Sequence, residues 1–96
     1  MKVYISGQIT GLPFDQVEEN FFNAQNRLEE QGYKVVNPLE NGLPTNAKWK
    51  DHMKADIKLL MDCDTIYLMK NWKDSKGAKV ERDIAVALRY YMIIEK

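Results

Sequence analysis

The order of apolar segments along the chain is the feature that most limits its fold. Short runs rich in β-branched and aromatic residues alternate with longer segments whose apolar residues recur at helical spacing. The order strand–helix–strand–helix–strand–helix–strand predicts a parallel sheet with right-handed crossovers and helices on its faces. The predicted strands are residues 2–6, 33–38, 64–69 and 90–95, and the second and third predicted helices cover about 47–61 and 78–89.

The first helix has recognisable ends in the sequence. Asp15 is a candidate N-cap, and Glu18 three residues later completes the pattern of a capping box. Gly32 is placed to end the helix. The predicted buried face consists of Val17, Phe21, Ala24 and Leu28.

The strands are predominantly apolar, as expected for strands that are buried on both faces. With 96 residues and no internal repeat or linker, the chain is predicted to be one domain, residues 1–96. The predicted fold class is α/β: a small flavodoxin-like or Rossmann-like three-layer sandwich with a parallel sheet of four or five strands.

Charge and cysteine content narrow the range of partners. Lys and Arg total 14, as do Asp and Glu, so the net charge is zero, which argues against nucleic-acid polymers and membranes as partners. No apolar run reaches the length of a membrane span, and the N-terminal apolar stretch is too short for a signal peptide. A single cysteine, Cys63, gives no disulfide framework, so the cytoplasm is the expected location.

No cofactor or metal is predicted. The glycine-rich loop lacks both the dinucleotide fingerprint and the Walker A pattern, and no second His or Cys completes a zinc site. His52, alone on its helix between charged neighbours, is predicted to be exposed to solvent. A chain this short often gains stability by association, which favours a homodimer or larger homo-oligomer.

Ligands of open parallel sheets bind beyond the carboxyl ends of the strands, here at loops 7–13, 37–46 and 70–77. The first of these loops is rich in small residues that permit close approach of a ligand to the backbone. A tight turn into the first helix explains the same residues without a ligand, and taken alone the loop favours that interpretation. The candidate binding residues are Ser6, Gly7, Gln8, Ile9, Thr10 and Gly11.

Asp56 lies on the apolar stripe of the second helix, at helical spacing from Trp49, Met53 and Leu60. A buried carboxylate must be paired, hydrogen-bonded or functional. The alternative is an Asp slightly off the stripe, with its carboxylate in water. The sequence alone leaves both interpretations open.

Glu81 follows a loop in which Ser75 is a candidate N-cap and Gly77 allows close approach. The pattern places Glu81 in the first turn of the third helix, where the helix dipole is expected to keep the carboxylate ionised. A dipole-favoured surface Glu is one interpretation. Because its side of the helix packs toward the sheet, a nucleophile or general base beside a pocket is the other.

Together these motifs resemble the nucleoside 2-deoxyribosyltransferase-like superfamily, which includes the 2'-deoxynucleoside 5'-phosphate N-hydrolases. The resemblance spans nearly the whole chain and is strongest to small members of the group. It rests on Tyr4, on S-G-x-I-T-G at 6–11, V-V-N-P at 35–38, W-x-x-x-M-x-x-D-I at 49–57, and S-x-G-x-x-x-E at 75–81.

The resemblance implies a flavodoxin-like fold, a nucleoside or nucleoside 5'-monophosphate as substrate, and cleavage or transfer at its N-glycosidic bond. It implies that Glu81 is the nucleophile, that Asp56 contacts the substrate or assists proton transfer, and that Tyr4 lies beside these carboxylates. A neighbouring subunit often completes the pocket in this superfamily, which again favours a homo-oligomer. The implied substrate-binding residues are those of the 6–11 loop with Asn37, Pro38, Trp49, Ser75, Gly77 and Ala78.

The chain also departs from the family pattern. Arg82 and Asp83 follow Glu81, where characterised members commonly have Leu-Gly, so a bulky pair is expected next to the candidate nucleophile. A non-catalytic module of the same fold that binds a nucleotide-derived ligand is therefore the alternative function. A structural oligomer without a ligand is a third.

Overall fold

The computed structural model describes residues 1–96, which form one parallel sheet covered by helices on both faces. The four strands are β1 (Lys2–Ser6), β2 (Lys34–Val36), β3 (Thr65–Leu68) and β4 (Tyr91–Ile94). The helices are α1 (Phe14–Glu30), α2 (Trp49–Met61) and α3 (Lys76–Ala87), with short 3-10 turns at Pro38–Glu40 and Trp72–Asp74. The predicted α/β sandwich is confirmed, with four strands in its sheet.

The strands lie in the order β2-β1-β3-β4, and every neighbouring pair is parallel. At the centre, Val3 is in register with Val35 on β2 and Thr65 on β3. The chain leaves β1 toward one face of the sheet and leaves β3 toward the other. A crevice therefore opens between the carboxyl ends of β1 and β3, where ligands bind in doubly wound folds.

Two apolar layers enclose the sheet, because successive residues of a strand point to opposite faces. Val3 and Ile5 of β1 face α1, whereas Tyr4 and Ile66 face α2 and α3. The predicted apolar face of α1 is confirmed, since all of its members are buried: Val17, Phe21, Ala24 and Leu28.

The predicted capping box of α1 is wrong. The helix begins at Phe14, after Pro13, and has no side-chain cap. The Pro13 carbonyl accepts the backbone N–H groups of Gln16 and Val17, so this turn closes without Asp15 as a cap. Asp15 lies in the first turn instead, where its charge still favours the helix dipole. Gly32 follows the helix with a φ of +90°, as expected of a glycine at a helix end.

The start of α3 differs from the prediction in a way that affects the site. Ser75 is the N-cap as predicted, and its hydroxyl accepts the backbone N–H of Ala78 at 3.1 Å. The helix consequently begins at Lys76, two residues earlier than expected. Glu81 therefore lies in the second turn and not in the first.

No helix of the structure combines the length and the apolar character needed to cross a membrane.

Candidate active site

Glu81 is a buried carboxylate at the crevice between β1 and β3, and only 5% of the residue is exposed. Both of its oxygens accept a hydrogen bond from β1. The Tyr4 hydroxyl donates to Oε2 and the Ser6 hydroxyl donates to Oε1, each at 2.7 Å. Tyr4 and Ser6 are two positions apart and therefore point to the same face of the sheet, the face that α3 covers.

Burial raises the pKa of Glu81 to about 7, against the opposing effect of the hydrogen bonds from Tyr4 and Ser6. The nearby charge of Asp56 adds to the increase. The expectation that the helix N-terminus keeps Glu81 ionised is therefore wrong. The residue lies beyond the first turn, where the dipole is weak, and desolvation is the larger effect.

Asp56 lies on the buried side of α2 and is 5% exposed. Its Oδ1 accepts a hydrogen bond of 2.8 Å from the side-chain amide of Asn41. Burial raises the pKa of Asp56, while the Asn41 hydrogen bond and the neighbouring His52 act in the opposite direction. Of the two interpretations of the sequence, the structure shows the buried, hydrogen-bonded carboxylate.

Asn41 also contacts His52, since its Nδ2 lies 3.0 Å from the imidazole Nδ1. His52 is half-buried and lines the same cavity as Asp56, so the prediction that it is exposed to solvent is wrong. Two features of the chain bring it there. His52 is four residues before Asp56 on one face of α2, and the loop that carries Asn41 folds over that face.

A cavity of about 230 Å³ connects these groups, with Glu81 and Asp56 both in its wall. Many of the predicted binding residues line it: Gly7, Ile9, Thr10, Pro38, Trp49, Ser75, Gly77 and Ala78. Several other residues also line it that were not predicted as site residues from the sequence: Phe14, Leu39, Asn41, Leu43, Thr45, Ala47, His52 and Met53.

Five of the selected residues do not line the cavity: Tyr4, Ser6, Gln8, Gly11 and Asn37. Tyr4 and Ser6 are fully buried and reach the cavity only through Glu81. The side-chain amide of Gln8 donates to the carbonyl of Thr10. Asn37 accepts the N–H of Leu39, which forms the turn that carries Pro38 and Leu39 to the cavity wall.

The charged residues of the wall are all acidic, and neither Lys nor Arg lines the cavity. Of the lysines near the site, Lys76 has its Nζ 4.9 Å from the ring centroid of Trp49. Arg82 and Asp83 pair with each other at 3.1 Å and lie outside the wall. The bulky pair that follows Glu81 therefore does not enter the cavity.

No group of three or more His, Cys, Asp or Glu side chains is arranged to hold a metal ion.

Solved structures of three proteins share this fold. A 2-deoxyribosyltransferase from Bacillus psychrosaccharolyticus has a TM-score of 0.74 at 20% identity, over 98% of this chain and 71% of that one. A 2-deoxyribosyltransferase from Leishmania mexicana has a TM-score of 0.73 at 18% identity, over 97% of this chain and 62% of that one. A CMP N-glycosidase from Clostridium botulinum has a TM-score of 0.66 at 19% identity, over 98% of this chain and 70% of that one.

These likenesses confirm the predicted nucleoside 2-deoxyribosyltransferase-like fold, and at such identities they show the fold alone. No curated protein sequence matches the chain. A family model described as a domain of unknown function (DUF4406) matches residues 1–94, and the chain therefore belongs to that family.

Proposed function

We propose that this protein cleaves or transfers the N-glycosidic bond of a deoxynucleoside or its 5'-monophosphate, with Glu81 as the nucleophile. One observation carries the proposal: Glu81 is a buried carboxylate in a cavity wall, and each of its oxygens accepts a hydrogen bond from a hydroxyl group. A carboxylate that served only to stabilise the fold would not need to face a cavity that also contains a second buried carboxylate.

The chemistry follows from these groups. A glycosidic carbon that loses its base passes through an oxocarbenium-like transition state, which a nearby carboxylate stabilises and can trap. An oxygen of Glu81 forms a bond to the anomeric carbon as the bond from that carbon to the base breaks. The electron pair of the broken bond leaves with the base. Water or a second base then attacks the same carbon and releases Glu81.

Tyr4 and Ser6 hold the nucleophile without contacting the substrate themselves. Their hydroxyl groups fix the carboxylate in one orientation and stabilise its ionised form. Burial raises the pKa of Tyr4 well above its ordinary value, so its hydroxyl remains a donor throughout the range in which Glu81 titrates.

Asp56 lies in the same wall and suits either of two tasks. When protonated, it supplies a proton to the departing base, a task for which the direction of its pKa shift is favourable. When ionised, it accepts a hydrogen bond from the sugar or the base. The three similar structures are two deoxyribosyltransferases and an N-glycosidase, which supports the reaction class for this chain and leaves the acceptor open.

The test is chromatographic. The protein is incubated with each common deoxynucleoside and its 5'-monophosphate, with and without a second free base, and released or exchanged base is measured. Wild type is compared with Glu81→Gln and with Glu30→Gln, which alters an exposed carboxylate on α1. We expect turnover in wild type and in Glu30→Gln, and a loss of about 10³-fold or more in Glu81→Gln.

Equal base release by Glu81→Gln and wild type would exclude Glu81 as the nucleophile. Binding of a nucleoside without any base release at high enzyme concentration would instead support the alternative, a non-catalytic binding module of the same fold.

A further inference from the structure

The orientation of the Asn41 side chain is fixed by two neighbours. Its Oδ1 accepts the backbone N–H of Leu43 at 2.9 Å, and its Nδ2 donates to Oδ1 of Asp56 at 2.8 Å. Rotating the amide by half a turn would place an N–H group against the Leu43 N–H and an oxygen against the carboxylate. The amide nitrogen therefore faces both Asp56 and His52.

An amide nitrogen donates and does not accept, so Nδ1 of His52 must accept its second hydrogen. An imidazole that accepts at Nδ1 is neutral and carries its proton on Nε2. No protein group pairs with Nε2, and His52 is part of the cavity wall. The wall thus includes an imidazole N–H that no protein group accepts, on the same helix as Asp56.

We propose that His52 donates its Nε2–H hydrogen bond to the base of the bound nucleoside, and that Asn41 is the positioning residue that holds this tautomer. The inference rests on the proposed function, because it assigns the base-contacting part of the same cavity. His52 and Asp56 are four residues apart on one helix face, so a base between them meets a donor and an acceptor side by side.

The donor has a role in the reaction itself. As the glycosidic bond breaks, its electron pair moves onto the base, and a fixed donor aimed at the base stabilises that developing negative charge. His52 forms a hydrogen bond and does not give up its proton, since a neutral imidazole would otherwise become an anion. The proton that the base finally carries comes from Asp56 or from water.

The chain contains one histidine, so its ring nitrogen signals are unambiguous in an NMR spectrum of ¹⁵N-labelled protein. We expect the Nε2–H tautomer in wild type and averaged tautomers in Asn41→Ala. Titrating free nucleobases into Glu81→Gln should shift the Nε2 signal. A proton on Nδ1 in wild type, or no shift at saturating base, would overturn the proposal even if Asn41→Ala fails to fold.

Kinetics supply the second readout. An N7-methylated deoxyguanosine releases a neutral base and needs little stabilisation of negative charge. His52→Ala should therefore reduce kcat about 10- to 100-fold for ordinary deoxynucleosides, the effect of losing one such hydrogen bond, and much less for the methylated substrate. Lys54→Ala, at an exposed position of α2, is the control and should leave both rates unchanged. Equal losses on both substrates would contradict the assignment.

The NMR titration and the kinetic measurements distinguish a failure of the proposed function from a failure of the role assigned to His52. If wild type turns over no nucleoside, the proposed function fails, while the base titration still decides whether His52 contacts a base. If base release depends on Glu81 but the His52 signal does not respond, the inference fails and the proposed function stands.

Discussion

The hydroxyl of Tyr4 lies 2.7 Å from Oε2 of Glu81, although the two residues are 77 positions apart in the chain. The contact joins the first strand to the last helix at the carboxyl edge of the sheet. It stabilises the ionised carboxylate in a place where burial disfavours it. The balance of these two effects places the pKa of Glu81 at about 7 and makes it measurable.

Replacing Glu81 by Gln should stabilise the protein at alkaline pH. Because the pKa is raised from 4.5 to about 7, the folded state binds more protons than the unfolded state between those values. The free energy of unfolding therefore decreases as pH rises from 4.5 through 7. Each unit of pKa shift corresponds to about 1.4 kcal/mol, so the buried ionised Glu81 lowers the free energy of unfolding of wild type by roughly 3 kcal/mol above pH 8. The Gln variant avoids this loss, but its weaker hydrogen bonds to Tyr4 and Ser6 offset about 1 kcal/mol of the gain.

The measurement is urea denaturation of wild type, Glu81→Gln and the exposed control Glu30→Gln at pH 5 and pH 8. The free energy of unfolding of Glu81→Gln should exceed that of wild type by about 1–3 kcal/mol at pH 8. This excess should vanish at pH 5, where the folded state holds Glu81 protonated and the hydrogen-bond loss offsets what remains. A difference that does not depend on pH would contradict the raised pKa.

Removing either hydroxyl should move the acidic limb of the activity profile. Tyr4→Phe and Ser6→Ala each delete a donor to the ionised carboxylate, so the pKa of Glu81 should rise by about one to two units. Since the proposed nucleophile is the ionised form, kcat/KM at pH 7 should fall about 5- to 50-fold and recover at higher pH. Profiles of kcat/KM against pH test this. A loss that is constant across pH would indicate a role in folding alone.

Unphosphorylated deoxynucleosides should be better substrates than their 5'-monophosphates. The cavity wall contains Asp56 and Glu81 but neither Lys nor Arg, so a phosphate would enter a field of its own sign. We expect kcat/KM to be about 10-fold or more higher for the nucleoside. Thr45→Lys, which adds a cation to the wall, should narrow the difference. A monophosphate preference in wild type would show that phosphate-binding groups come from elsewhere, such as a second subunit.

The pair Arg82 and Asp83 should be dispensable for turnover. The two side chains form an exposed ion pair outside the cavity wall, and such pairs contribute about 0–1 kcal/mol to stability. The double variant Arg82→Ala with Asp83→Ala should release base within about twofold of the wild-type rate and unfold at nearly the same urea concentration. A large loss of turnover with unchanged stability would place this pair closer to the substrate than the cavity geometry does.

The spacing of apolar residues along the chain was sufficient to predict the fold, because each helix and strand has one clear apolar pattern. The spacing of Val17, Phe21, Ala24 and Leu28 can only be satisfied by a helix with one buried face. The ends of helices were harder to predict. At α1 a proline carbonyl replaces the expected side-chain cap. At α3 the correctly predicted cap, Ser75, implies a helix start at Lys76, which in turn places Glu81 in the second turn.

The site was predictable where a residue conflicted with its local pattern. Asp56 stood out as a carboxylate on an apolar stripe, and Glu81 as a carboxylate facing the sheet. Asn41 gave no such indication, because its importance comes from a loop folding across α2, and loop conformation does not follow from periodicity. His52 could have been found from its spacing to Asp56, since residues four apart share a helix face.

The homo-oligomer, the cytoplasmic location and the division of the chain into one domain stay predictions. Sedimentation of the purified protein, with and without a nucleoside, decides the first.

The hydrogen bonds between β1 and α3 also order the events of folding. Tyr4 and Ser6 are synthesised before their acceptor, which follows them by 75 or more positions. Until α3 docks, the two hydroxyl groups lack their buried partner, so a partly folded chain has no assembled candidate site. Recovery of activity during refolding should therefore lag behind the recovery of helical circular dichroism, because contacts between distant parts of a chain form late.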